Sequence, residues 1–340
     1  MHSFRDDYSE TAHPRILQAL QSGNLEQDEG YGCDRRCAAA RQHIKARLGA
    51  YADRADIHFL CGGTQSNLTA ISAFLRPHEA VAAAETAHIC VNETGAIEAT
   101  GHKVIALPGA DGKVRPEQIR QVLDAHGRNE HKVKPRLVKI SNSTELGSIY
   151  TLRELEALSA LCREESLFLY ADGARLGAAL TASGNDVSLA DMCRLTDAFY
   201  IGGTKNGAML GEAVVLCNDA LKEDFRYHMK QKGGLLAKGR ILGVQFEELF
   251  RDDLFFDLAR HANHMAQLMA EAFKAAGYGF LVESPTNQIF PILPAALIER
   301  LQKNWAFYVW RQVDAEHSAI RLVTSWATPE EVVRRFISEL

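Results

Sequence analysis

The amino-acid sequence predicts an α/β protein: a large domain built on a mostly parallel sheet covered on both faces, followed by a smaller α+β domain. Three observations carry this. Short apolar runs recur through the first 250 residues, at 56–62, 80–85, 102–108, 135–142, 167–173, 198–203 and 212–218. Helix-like stretches lie between most of them, the alternation from which parallel sheets are assembled. From Arg251 the rhythm changes to one long helix, two strand-like runs and a last helix. The expected division is therefore 1–250, with an N-terminal arm over about 1–13, and 251–340.

Taken in order, "DIHFLCG" (56–62) leads through Gly62-Gly63-Thr64 into an apolar-periodic stretch, a strand followed by a helix. "AVAAAE", "HKVIALP" and "PRLVKISN" are continuous apolar runs without alternation, as strands buried on both faces should be. In "LRELEALSALCREE" (152–165) leucines at 152, 155, 158 and 161 step by three, which marks a helix. "LFLYADG", "AFYIGG" and "EAVVLCN" supply the last three strands of the large domain. Leu254, Leu258, Ala262, Met265, Met269 and Phe273 then step by three or four along a long amphipathic helix. "NQIFPIL" (287–293) and "SAIRLVT" (318–324) read as strands, and a final helix starts after Thr328-Pro329. No repeat or low-complexity linker interrupts the chain.

Composition narrows the function. The 340 residues are 46% hydrophobic and carry a net charge of −5, with no lysine/arginine block, so neither nucleic acid nor an anionic membrane is expected as a main partner. No apolar run approaches the roughly 20 residues of a membrane span, and "MHSFRDDYSE" has no leader-peptide pattern. Seven scattered cysteines favour a reducing, cytoplasmic compartment over a disulfide framework. Cys33 and Cys37 have no second pair downstream, so no metal site is expected.

Three loops carry candidate chemistry. "GGTQSN" (62–67) joins a strand to a helix, and a helix N-terminus offers free N–H groups to an anion; a plain helix cap at Thr64 is the bland alternative. Neither a dinucleotide nor a P-loop fingerprint is present, so a phosphate held there would not belong to a nucleotide. In "LYADGARLGAAL" Asp172 ends a strand and Arg175 follows; the carboxylate is a sheet-end cap, a metal ligand or the counter-ion of a protonated ring nitrogen. In "IGGTKNG" Lys205 stands among small residues at another strand end, either an exposed cation or an amine made nucleophilic by desolvation, with glycines that would let a flat ring approach. Phosphate cup, acidic strand end and reactive lysine together suit pyridoxal phosphate.

The motifs "FRDDYSETAHPRI", "EGYGCD", "GGTQSN", "AHICVNETGA", "YADGARLGAAL", "GGTKNGAMLGEAVV" and "AIRLVT" resemble, in order and spacing over essentially the whole chain, the threonine aldolase branch of the fold-type I pyridoxal-phosphate enzymes, the threonine aldolase/aromatic amino acid β-eliminating lyase family. The resemblance implies a pyridoxal 5′-phosphate-dependent lyase acting on a small amino acid. It implies that Lys205 binds the cofactor as a Schiff base, Asp172 faces the pyridine nitrogen, Arg175 holds the phenolic oxygen, and His88 stacks on the ring. Gly63, Thr64 and Thr204 fall in the cofactor-binding loops, and Arg321 matches the arginine that takes the substrate carboxylate. Tyr31 and Lys230 match positions that reach a neighbouring subunit's site, so a homodimer or homotetramer with shared sites is expected.

Two departures touch substrate contacts: Asp6 stands where the family often has serine, and Glu145 where it often has histidine near the β-hydroxyl. The implied reaction is cleavage of the Cα–Cβ bond of a β-hydroxy-α-amino acid to glycine and an aldehyde, with a base near His88 or Glu145. β-Elimination to ammonia and a keto acid, or an inactive relative serving as a scaffold, are the alternatives. Taken singly, His88 reads as a satisfied loop histidine and Arg321 as the polar face of a strand. His261 and His264 read as a solvated helix face, and Trp305, Trp310 and Trp326 as small-domain packing.

Overall fold

The structure, a computed structural model, describes residues 2–127 and 129–340. The chain begins with β1 (His2–Ser3), and the seven apolar runs become β2 (Asp56–Leu60), β3 (Glu79–Ala84), β4 (Val104–Leu107), β5 (Lys134–Ser141), β6 (Phe168–Asp172), β7 (Ala198–Gly202) and β8 (Glu212–Leu216). These seven form one sheet in the order β2-β8-β7-β6-β5-β3-β4. Every residue of β3, β7 and β8 is buried, which is why their sequences are apolar throughout.

The pairings are parallel except at β8, which runs antiparallel to both β7 and β2. The cause is chain length. Residues 203–211 are fewer than the roughly dozen that a parallel crossover needs, so β7 and β8 can only form a hairpin. Lys205 sits in that hairpin, at the carboxyl end of β7.

The remaining strands are β9 (Gln288–Ile289), β10 (Ile292–Pro294), β11 (Trp305–Ala306), β12 (Tyr308–Gln312) and β13 (His317–Val323). β13 is the centre of a small antiparallel sheet, flanked by β10 and β12 and also paired to β9. The long helix Leu254–Ala275 joins two cores: Leu254, Phe255 and Leu258 pack with the large sheet, while Met265, Met269 and Phe273 pack in the second core.

The N-terminal arm takes a course that the 1–250 division does not describe. β1 pairs in parallel with β11, and Phe4 is fully buried in the second core, stacked on Trp305 at 5.7 Å. Further along, the His13 N–H donates to the Gly207 carbonyl at 2.8 Å, in the hairpin that holds Lys205. The arm is thus fixed at both ends, with Asp6, Asp7 and Tyr8 between. The tryptophans also part company. Trp305 fills the second core, Trp326 packs against the first, and Trp310 is exposed beneath the Arg321 guanidinium.

Candidate active site

Side chains at the carboxyl ends of β2, β3, β5, β6 and β7 converge on one cavity of about 280 Å³. Such strand ends are where open α/β sheets bind ligands. Its lining includes Gly63, Thr64, His88, Glu145, Asp172, Arg175, Thr204 and Lys205, along with Tyr8, Ser143, Tyr200 and Glu212. Clefts of about 680 and 770 Å³ lie elsewhere, but neither is lined by a buried lysine. Chemistry, not size, identifies the site.

The Lys205 Nζ lies 6.0 Å from the centre of the Tyr8 ring. Burial, and after it the Arg175 guanidinium, push its pKa below the usual lysine value, while Asp7, Asp172 and Glu212 pull upward. Glu212, the first residue of β8, is buried beside it and accepts the Gly203 N–H at 3.1 Å. Burial lifts the Glu212 carboxyl above the usual carboxylate range, to about 8.

The glycines around Lys205 serve the backbone. A Cβ on Gly202 would lie 2.5 Å from the Ala174 carbonyl oxygen, and one on Gly203 would lie 2.8 Å from that of Gly211. The space that the sequence leaves open at these two positions for a flat ring is taken by neighbouring chain.

Asp172, at the end of β6, is almost wholly buried yet fully partnered. One carboxylate oxygen accepts the Tyr200 hydroxyl and the Ala174 N–H at 3.1 Å. The other accepts Asn67 Nδ2 at 3.2 Å and lies 3.0 Å from Lys139 Nζ. Burial alone would raise its pKa, but the Lys139 charge and these hydrogen bonds outweigh burial and hold the carboxyl well below the usual range.

His88 opens the short helix after β3. Its Nδ1 lies 2.8 Å from Glu93 Oε1, an oxygen that also accepts Asn67 Nδ2 at 2.7 Å. A carboxylate at Nδ1 selects the tautomer with hydrogen there and leaves Nε2 as the acceptor. The His88 backbone N–H donates to Glu145 Oε1 at 2.8 Å.

The helix Gly63–Phe74 follows β2, and its cap Gly62 supplies no side-chain bond to the first N–H groups. The arm closes the opposite side. Arg175 donates Nε and Nη2 to the two oxygens of Asp7 at 2.7 and 3.0 Å, and Asn287 Nδ2 adds a bond at 2.9 Å. Arg175 is therefore already paired. Tyr8 is raised to about 12 by partial burial and by its hydrogen bond to Asp6.

Arg321 and Asp6 do not line the cavity themselves; they adjoin it through Tyr8, to which both are electrostatically coupled. Arg321 donates Nε and Nη2 to Gln288 Oε1 at 3.2 and 2.9 Å, and burial followed by the Arg175 charge lowers it to about 10.

Tyr31 and Lys230 lie outside the cavity. The Lys230 Nζ stands 4.7 Å from the centre of the Tyr31 ring, in an open cleft of about 690 Å³ that Tyr227 also lines. Reading along the sequence missed Asp7, Asn67, Glu93, Lys139 and Glu212. For Lys139 and Glu212 a signal was present, since each is a charged residue within or at the edge of an apolar strand run.

A mostly parallel sheet, a lysine in the hairpin beyond it, a buried carboxylate at the end of the neighbouring strand and a small antiparallel companion sheet define the fold-type I class. Comparison with known proteins agrees. The beta-eliminating lyase family model matches residues 5–295, and the chain belongs to that family. The low specificity L-threonine aldolase of Pseudomonas sp. (strain NCIMB 10558) is 32% identical over 339 residues, which is 98% of this chain and 95% of that protein. A threonine aldolase structure from Leishmania major superimposes with a TM-score of 0.97 at 48% identity, covering 99% of this chain and 98% of that one. An aspartate aminotransferase from Thermus thermophilus, 16% identical with a TM-score of 0.72 over 99% of this chain and 90% of that one, shares the fold.

Proposed function

We propose that the protein is a pyridoxal 5′-phosphate-dependent aldehyde-lyase that cleaves the Cα–Cβ bond of a β-hydroxy-α-amino acid of the L-threonine or L-allo-threonine kind, giving glycine and an aldehyde. The observation that carries this reading is the cavity lined both by a partly buried amine, Lys205, whose pKa is pushed down, and by a buried, charged Asp172. The residues fit the cofactor on three further counts. The helix N-terminus at Gly63 and Thr64 has free N–H groups for a phosphate. Thr204 stands beside Lys205 in the lining. Ser143 Oγ and Glu145 Oε2 are buried at the cavity without hydrogen-bond partners.

When bound, pyridoxal phosphate supplies an aldehyde for an amine and an electron-withdrawing ring that stabilises charge developing at Cα. The chain does the rest. Lys205, driven toward the neutral amine, would hold the aldehyde covalently and can carry a proton at Nζ, with the buried Glu212 carboxyl as its neighbour. Asp172 would pair with the ring nitrogen, Arg175 would hold the phenolic oxygen, and His88 would cover the ring. Arg321, beside Asp6, Tyr8 and Trp310, holds the substrate carboxylate and so fixes which bond at Cα is aligned to break. His88 Nε2, its tautomer set by Glu93, or the free Glu145 Oε2 takes the β-hydroxyl proton.

The family description favours β-elimination as the second reading. A product assay decides: glycine plus aldehyde supports cleavage at Cβ, whereas ammonia plus keto acid supports elimination and overturns it. Seven free cysteines suit a reducing cytoplasmic setting, and among the described residues no helix is long and apolar enough to cross a membrane. The Tyr31–Lys230–Tyr227 cleft is offered as the contribution to a neighbour's site in a homodimer or homotetramer.

A further inference from the structure

Lys139 is a lysine with no exposed surface in the middle of β5, a strand with neighbours on both sides. A buried ammonium is costly unless it is paired and hydrogen-bonded. Its Nζ donates to Ser141 Oγ at 2.8 Å, two residues along and so on the same face, and lies 3.0 Å from Asp172 Oδ2 and 3.7 Å from Glu145 Oε1. Ser141 Oγ in turn donates to the same Glu145 oxygen at 2.8 Å. One cation thus touches the carboxylate assigned to the ring nitrogen and the carboxylate assigned to the substrate side.

We propose that Lys139 is the positioning residue of this cavity: its ammonium, shared between Asp172 and Glu145, fixes both carboxylates in place before any ligand arrives. This rests on the reading above for the roles of the two acids, but its physical content concerns the protein alone. A ring nitrogen bound at Asp172 would meet a carboxylate already sharing its charge with a second cation. Asp172 would then hold the ring without being its only counter-charge.

The charged and titratable groups around Lys139 come from every packed element. Asp172 belongs to β6, and Glu145 to the loop after β5. Glu93, Cys90 and His88 belong to the segment after β3. Tyr170 and Tyr200 add neutral hydroxyls near Asp172. Asp172 is held below its usual range, so its contribution is present above about pH 4 and lost only on further acidification. Lys139, raised chiefly by Asp172 and Glu145 against burial, contributes below its usual pKa and loses this only as pH rises beyond it. In between, wild-type stability from this pair is flat with pH.

The test uses cofactor-free protein and thermal unfolding. Lys139→Met leaves the buried Asp172 and the partly buried Glu145 without their shared cation, and their repulsion is relieved only when one of them takes up a proton. The stability gap to wild type should therefore be large near about pH 8 and shrink to less than about half near about pH 5.5. Lys139→Met combined with Glu145→Gln removes one stranded charge and should narrow the gap near about pH 8. If Lys139→Met does not fold near about pH 8, folding regained near about pH 5.5 or in the double variant supports the proposal equally. A gap that does not change with pH, or variants that fail alike at every pH, would mean that the lysine acts only by packing and overturns it. Failure of the aldolase reading would instead show as wrong products from wild type, with this stability pattern intact.

Discussion

At the residue scale the site turns on which amine is neutral and which carboxylate is charged. Lys205 was legible because a lysine among glycines at a strand end is unusual. Its glycines were misread, since spacing along a chain does not show that Ala174 and Gly211 fill the space beside them. Lys139 was passed over as part of an apolar run, because its partners lie on another strand and a later loop. The lowered Lys205 pKa has a consequence for cofactor capture. With apoprotein, the capture rate should rise with pH through a midpoint below the usual lysine value. Arg175→Gln removes the charge that opposes protonation and should move that midpoint upward. Borohydride reduction followed by peptide mapping should place the label on Lys205, and Lys205→Ala should lose it along with at least ~10²-fold in turnover. Labelling of any other lysine removes the assignment.

At the element scale the alternation of apolar runs and helices foretold all seven strands of the large sheet, because strands covered on both faces leave no polar periodicity. The reversed β8 follows from the shortness of 203–211, a length the sequence displays. The arm was not legible as an element. β1 has two residues, too few for any period, and its partner β11 lies about 300 residues away. Pairing between β5 and β6 changes what Asp172 is expected to do. As a lone strand-end acid, Asp172→Asn would cost turnover with little effect on the fold. With Lys139 3.0 Å away, the same change takes the nearer carboxylate from a buried ammonium and leaves it Ser141 Oγ at 2.8 Å and Glu145 at 3.7 Å. Asp172→Asn should therefore destabilise the apoprotein by about 3–5 kcal/mol as well as losing most turnover. Denaturant unfolding measures the first effect, and a loss under about 1 kcal/mol would show that the pair is not holding the strand ends.

At the scale of the whole molecule two cores are tied together by the helix Leu254–Ala275 and by an arm anchored at Phe4 and at His13. The arm brings Asp7 to Arg175 and Tyr8 to Lys205, so the cavity is completed by the N-terminal end of the chain. Tyr31 and Lys230 lie outside it, in an exposed aromatic and cationic cleft. If they serve a neighbour's site, mixing inactive Lys205→Ala with an inactive Lys230→Ala protein and allowing exchange should restore part of the activity, since a hybrid dimer keeps one intact site. No recovery despite demonstrated exchange would confine each site to one chain. The central claim is that this cavity breaks the Cα–Cβ bond. The most direct measurement incubates the wild-type protein, loaded with pyridoxal 5′-phosphate, with L-threonine or L-allo-threonine and follows all products together. Glycine and acetaldehyde should accumulate in equal amounts without ammonia, and ammonia with a keto acid in place of glycine would contradict it.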